Sequence, residues 1–212
     1  LEGGGVDVSG IVSCDDRPTT VKTRYMGYVQ SAGRSLQQIV RVDEEECGPL
    51  KDDDGRAMLK EVAEADADFI VVQDMAKGLL SDALLQRLIS DARERGRQVL
   101  IDPRRGTDYL AYSGAHYVLP NRRETEMATG IAPDGDDACR RAAERLLQEL
   151  SLEAAVITLD REGMFYATRD GARRHVDTRT REVTDVTGAG DMVAAALGLA
   201  LADGMDLEGA VK

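Results

Sequence analysis

DFIVVQDMAKGLLSDALLQRLISDARERGRQVLID, residues 68–102, is the stretch whose rhythm sets the fold class. It opens on one apolar run (DFIVVQ, 68–73) and closes on another (QVLID, 98–102). Both runs are continuous rather than alternating, as in strands covered on both faces. Between them, residues 81–95 carry an amphipathic helical pattern, with Ser81 placed to cap the start and Gly96 the end. Strand, helix and strand in this order build a parallel sheet with helices packed on it.

The alternation continues outward. Downstream lie a strand at 117–119, helices at 122–129 and 136–150, a strand at 154–159 (AAVITL), two short strands near 164–168 and 174–176, and a helix over 188–202. Upstream, residues 57–65 read as helix and 44–55 as an acidic loop containing Asp52, Asp53 and Asp54. Residues 19–30 and 35–43 read as a β-hairpin, and 6–13 as a short strand. A two-stranded ribbon is too thin to be stable alone, so the hairpin is expected to lie against something. The organisation is therefore an α/β core over 1–18 and 44–212, interrupted by the hairpin at 19–43.

Composition narrows the function. The net charge of −12 excludes a protein that coats nucleic acid or an anionic membrane, since both need a basic face. It leaves room for an anionic small molecule held by a few placed Arg and Lys residues. Cys14, Cys47 and Cys139 are scattered, without a C-x-x-C pair, which disfavours a zinc site or a disulfide framework. A reducing cytoplasm is the expected setting. The start at Leu1 without Met, and the end at Lys212 inside a helical pattern, read as cut rather than natural ends. His116 and His175 read as structural or surface residues, and the acid run 52–54 as a solvated loop.

In parallel sheets, ligands bind at the carboxyl ends of the strands. Polar residues collect there: Asp74 and Lys77 after the first strand, Asp102 and Arg104 after the next, Asn121 and Glu124 after the third, Asp160 after the fourth. Lys77 and Arg104 could grip a phosphate or be solvated loop cations. Asp74 could bond a ligand or fix a turn. Asn121 could serve a ligand or cap a helix.

The segment VTDVTGAGDMVAAALGLALADG, 183–204, carries the most specific chemistry. Gly188, Ala189 and Gly190 open a helix whose first amides lack intrahelical partners and can form an anion hole. Asp191 follows in the first turn, where a carboxylate can orient or deprotonate an attacking hydroxyl. Spacing alone weights this reading equally with an ordinary Gly-rich loop whose acid is favoured by the helix dipole.

The stretch 185–191, DVTGAGD, resembles the D-[TV]-[TV]-G-A-G-D signature of the ribokinase-like (PfkB) carbohydrate kinases. The resemblance implies a three-layer sandwich around a mostly parallel sheet, ATP and Mg²⁺ as cofactors, Asp191 as catalytic base and Gly188–Gly190 as the anion hole. Asp185 would help fix the loop. Asn121 to Glu124 matches the family's N-x-x-E motif, which implies that Glu124 serves magnesium, through water. Thr158 and Gly163 would be ATP contacts. Within the family, KTRY (22–25) with RVDEEE (41–46), DMAKG (74–78) and IDPRRGTDYLAYSGA (101–115) are similar to segments of the D-glycero-β-D-manno-heptose 7-phosphate kinases. That likeness implies phosphorylation of the sugar's anomeric hydroxyl on the way to ADP-heptose and lipopolysaccharide core. Asp74, Lys77, Asp102 and Arg104 would then face the substrate, and the hairpin would be a lid that also joins a homodimer. Met75 and Arg104 depart from the group's Tyr and Lys. The family's opening strand, its first sugar-contacting segments and its terminal helices have no counterpart in these residues. A kinase for another sugar, or a catalytically silent nucleotide-binding fragment, stands as the alternative.

Overall fold

The computed structural model describes residues 5–28, 36–106, 108–178 and 188–212. Its centre is a six-stranded sheet: β3 (Phe69–Gln73), β4 (Gln98–Asp102), β5 (Tyr117–Val118), β6 (Ala154–Thr158), β7 (Met164–Thr168) and β8 (Arg173–Val176). The strands lie side by side in sequence order. β3 to β6 are parallel, and β7 and β8 return antiparallel through short turns.

Connections that always step the same way, each right-handed, place their helices on one face. That face carries α2 (Asp82–Glu94) and α4 (Asp136–Leu150). Leu85, Leu88 and Ile89 of α2 and Leu146 and Leu150 of α4 meet Val99, Ile101 and Ile157 in one core. Leu100, one residue out of phase with Val99 and Ile101, points to the opposite face. There it joins Tyr117 and Val156 beneath Ala194, Leu197 and Leu201 of α5 (Ala189–Ala202). The sheet is thus covered on both faces, as the continuous apolar strands require.

Local signals place the helix ends. The Ser81 side chain accepts a hydrogen bond from Leu84 N at the start of α2, and Gly96 takes a left-handed φ of 71° just past its end. α3 (Arg122–Thr129) begins with a capping box and stops at Gly130, also left-handed.

Two expectations need correction. Residues 6–13 form turns and irregular chain rather than a strand, because no described neighbour lies alongside to pair with them. The acidic loop ends sooner than its composition suggests: α1 is Asp52–Glu64, and Asp52, Asp53 and Asp54 fill its first turn. Carboxylates at that end are favoured by the helix dipole, so the run starts a helix instead of breaking one.

The hairpin forms as β1 (Val21–Tyr28) and β2 (Leu36–Glu44), antiparallel, with an irregularity between Tyr25 and Met26. Val21, Tyr25, Tyr28, Ile39, Val40 and Val42 are all exposed, so the core does not cover its apolar side chains. Its base is tied down nearby. One Arg17 guanidinium nitrogen, Nη2, donates to the carbonyls of Glu46 (2.8 Å), Gly48 (2.7 Å) and Lys77 (2.6 Å). Lys77 Nζ also pairs with Glu45.

Candidate active site

The carboxyl ends of the parallel strands and the start of α5 meet at one edge of the sheet. Gln73, the last residue of β3, directs its side-chain amide to two carboxylates there. Nε2 donates to Asp191 Oδ1 and, at 3.3 Å, to Asp102 Oδ2. Burial pushes the Asp102 carboxyl up to about 6; the Glu124 and Asp191 carboxylates add to the rise and the Gln73 hydrogen bond opposes it. Asp102, Glu124 and Asp191 therefore form one electrostatic group, built from β4, α3 and α5.

Asp191 sits in the first turn of α5, behind Gly188 as N-cap with a left-handed φ of 78°. The first intrahelical bond runs from Met192 N to Gly188 O, 2.9 Å. The amides of Ala189, Gly190 and Asp191 come before it, which leaves them available to an anion. Asp185 and Thr187, which the sequence reading placed in the same loop, lie outside the described residues.

Asn121 and Glu124 cap α3 reciprocally. Asn121 Oδ1 accepts from Glu124 N and Glu124 Oε2 accepts from Asn121 N, both at 2.9 Å. The second Glu124 oxygen, Oε1, lies 3.9 Å from Arg105 Nε. Asn121 also bridges to Thr158 at the end of β6, so the cap and the ATP candidates share a rim. Gly163 has a packing reason to be glycine: with φ at 93°, a Cβ there would stand 2.0 Å from the Val176 carbonyl oxygen.

The four substrate candidates are already engaged within the protein. Asp74 Oδ1 accepts from Ala76 N at 2.9 Å, and Oδ2 accepts from the Tyr112 hydroxyl at 2.8 Å. Arg104 lies between Asp74 (3.5 Å) and Asp82 (2.6 Å), and Lys77 is held by Glu45. Asp102 is paired with Gln73. Sequence reasoning missed Gln73, Tyr109 and Tyr112. The Tyr109 hydroxyl is buried without a hydrogen-bond partner among the described residues, beside Tyr112 and the Glu124 and Asp102 charges. The signal for Gln73 was present: a lone amide at the end of an apolar strand.

His116 is structural, its Nδ1 accepting from Val99 N at 3.1 Å. The three cysteines are free. Among the described residues no group of three His, Cys, Asp or Glu side chains could hold a metal ion by itself. Magnesium, which keeps several waters and binds through one or two carboxylates plus substrate phosphates, needs no such cage. Glu124 Oε1 and the mutually repelling Asp102 fit that use. A groove of about 420 Å³ runs from Gln73 and Asp191 along Phe69, Val71, Ala194 and Leu199. It is apolar except at that end.

The profile of the pfkB family carbohydrate kinases matches residues 1–212. The chain is 44% identical over 207 residues to the bifunctional protein HldE of Geobacter sulfurreducens, covering 97% of the chain and 41% of that protein. It is 46% identical over 171 residues to the bifunctional protein HldE of Halorhodospira halophila, covering 81% and 35%. The chain thus spans about two-fifths of the length of these curated relatives. Among solved structures, the tetrameric inhibited form of Escherichia coli phosphofructokinase-2 superposes with a TM-score of 0.71 at 22% identity, covering 89% of the chain and 61% of that structure. Arabidopsis thaliana ribokinase complexed with ribose and ATP gives 0.65 at 17%, covering 92% and 60%. At such identities the likeness is one of fold.

Proposed function

Because this chain belongs to the pfkB family of carbohydrate kinases, we propose that it transfers the γ-phosphoryl group of ATP to the anomeric hydroxyl of D-glycero-β-D-manno-heptose 7-phosphate. One observation carries the reading: Asp191, at the helix start that offers free amides, shares an edge with Asp102 and Glu124. Asp191 takes the hydroxyl proton as the sugar oxygen bonds to the γ-phosphorus. The bond from that phosphorus to the bridging oxygen breaks and ADP leaves. Charge developing on the transferred group is met by the amides of Ala189, Gly190 and Asp191. Glu124, through water, would hold magnesium with Asp102 beside it, and the ion would neutralise the β- and γ-phosphates. The likeness of 74–78 and 101–115 to the heptose 7-phosphate kinases supports the substrate, as does the identity to proteins named HldE. The setting is the cytoplasm, on the way to ADP-heptose and lipopolysaccharide core. The β1–β2 ribbon, with its uncovered apolar side chains, acts as lid over the sugar and as contact between two copies.

A specific observation favours a second reading, a kinase for another sugar. Lys77 and Arg104, the cations meant for the substrate's own phosphate, are paired with Glu45, Asp74 and Asp82. A panel of phosphorylated and unphosphorylated sugars, scored by ADP release, separates the two. Turnover confined to the heptose 7-phosphate supports the first; preference for an unphosphorylated sugar overturns it.

A further inference from the structure

We propose that Gln73 is the positioning residue that holds the base Asp191 in line, by sharing its side-chain amide between Asp191 and Asp102. The role rests on the reading of Asp191 as base, but the bridge itself does not. Gln73 Nε2 carries two hydrogens, and the structure gives it two acceptors, Asp191 Oδ1 and Asp102 Oδ2. The orientation is chemically forced: turning the amide over would aim Oε1 at two carboxylates. Asp191 and Asp102 come from α5 and β4, more than eighty positions apart in the sequence, and repel each other as anions. A neutral double donor on the neighbouring strand links them without adding charge. Gln73 is the last residue of β3, so its backbone is fixed by pairing with Asp102 in the adjacent strand. Asp191 sits in the first turn of α5. Gln73 therefore ties the reacting end of α5 to the rigid sheet. A base displaced by even 1 Å can cost on the order of a hundredfold in rate.

The bridge is tested by nitrogen-15 NMR on the chain, with the Gln73 side-chain NH₂ signal assigned from its loss in Gln73→Leu. Asp191→Asn and Asp102→Asn should each move that signal. If neither does, the bridge is absent and the proposal falls, whatever the protein's activity. The role is tested by steady-state kinetics with ATP and the heptose 7-phosphate. Gln73→Leu, which keeps bulk and loses the donors, should lower kcat by about tenfold or more, with both KM values within about twofold. Gln73→Glu, which sets a third carboxylate between the two, should lose more. Unchanged kcat in both variants overturns the role, as does a raised KM with kcat intact, which would mark a substrate contact instead. If the wild type phosphorylates none of the sugars, the kinase reading fails, and the NMR result still decides the bridge.

Discussion

Gly163→Ala separates a structural demand from a ligand contact at the rim of the site. Gly163 closes the turn between β6 and β7 at φ 93° and ψ −128°, a conformation nearly restricted to glycine. Holding alanine there costs about 1–3 kcal/mol in backbone strain. The new methyl would also stand 2.0 Å from the Val176 carbonyl oxygen and 2.7 Å from the Thr178 amide nitrogen. Those are backbone atoms, so the end of β8 has to move, at a further cost of about 1–3 kcal/mol typical of overpacking. Together they amount to about 2–6 kcal/mol, a large share of a stability of about 5–15 kcal/mol. For a chain of this length, each kcal/mol lowers Tm by about 2–4 °C, so a loss of roughly 4–24 °C is expected without nucleotide. Thermal unfolding of the ligand-free protein, followed by circular dichroism, measures it. A Tm within about 1 °C of wild type, with a raised KM for ATP, would refute the packing argument and leave Gly163 as a ligand contact only.

Two further perturbations probe the surrounding network. Asp74 is buried and holds both Tyr112 and Arg104, so Asp74→Ala should cost about 3 kcal/mol in urea unfolding, the low end for breaking a buried pair because Arg104 keeps partial solvent access; a loss under about 0.5 kcal/mol would contradict the pairing. His175 faces acceptors on both ring nitrogens, Asp136 Oδ1 and the Glu162 carbonyl, each at 2.7 Å, and these raise its pKa, Asp136 most. A raised folded-state pKa stabilises fully below the unfolded value of about 6.5 and is lost as pH climbs through the folded value. Wild type should therefore exceed His175→Gln by up to about 1 kcal/mol at low pH, with the gap narrowing at alkaline pH; a gap that widens with pH would contradict the assignment.

Much of the fold was legible because its signals are local. Continuous apolar runs mark β3, β4 and β6, and Ser81, Gly96 and Asn121 mark helix ends through hydrogen bonds or φ values that their own chemistry dictates. Residues 6–13 carry strand-like composition, but a strand exists only beside a partner, which composition cannot supply. The Asp52–Asp54 run looked like a loop because its charge hides the favourable dipole at a helix start. At the site, strand ends pointed to Asp102 and Glu124, and the Gly-rich helix start pointed to Asp191. They could not tell which polar groups would be consumed internally, as Asp74 and Arg104 are, because those partners come from elements far apart in the chain. Gln73 escaped notice for the same reason: its meaning lies in Asp191, 118 residues away.

The central claim is that Asp191 is the base of a sugar phosphoryl transfer, and Asp191→Asn tests it most directly. The substitution keeps size and an acceptor for Gln73 while removing the group that takes the proton. Single-turnover transfer from ATP to the sugar should fall by about 10²–10⁴-fold, the contribution of a positioned general base, with ATP affinity and Tm close to wild type. Transfer at a rate near that of wild type would contradict the account.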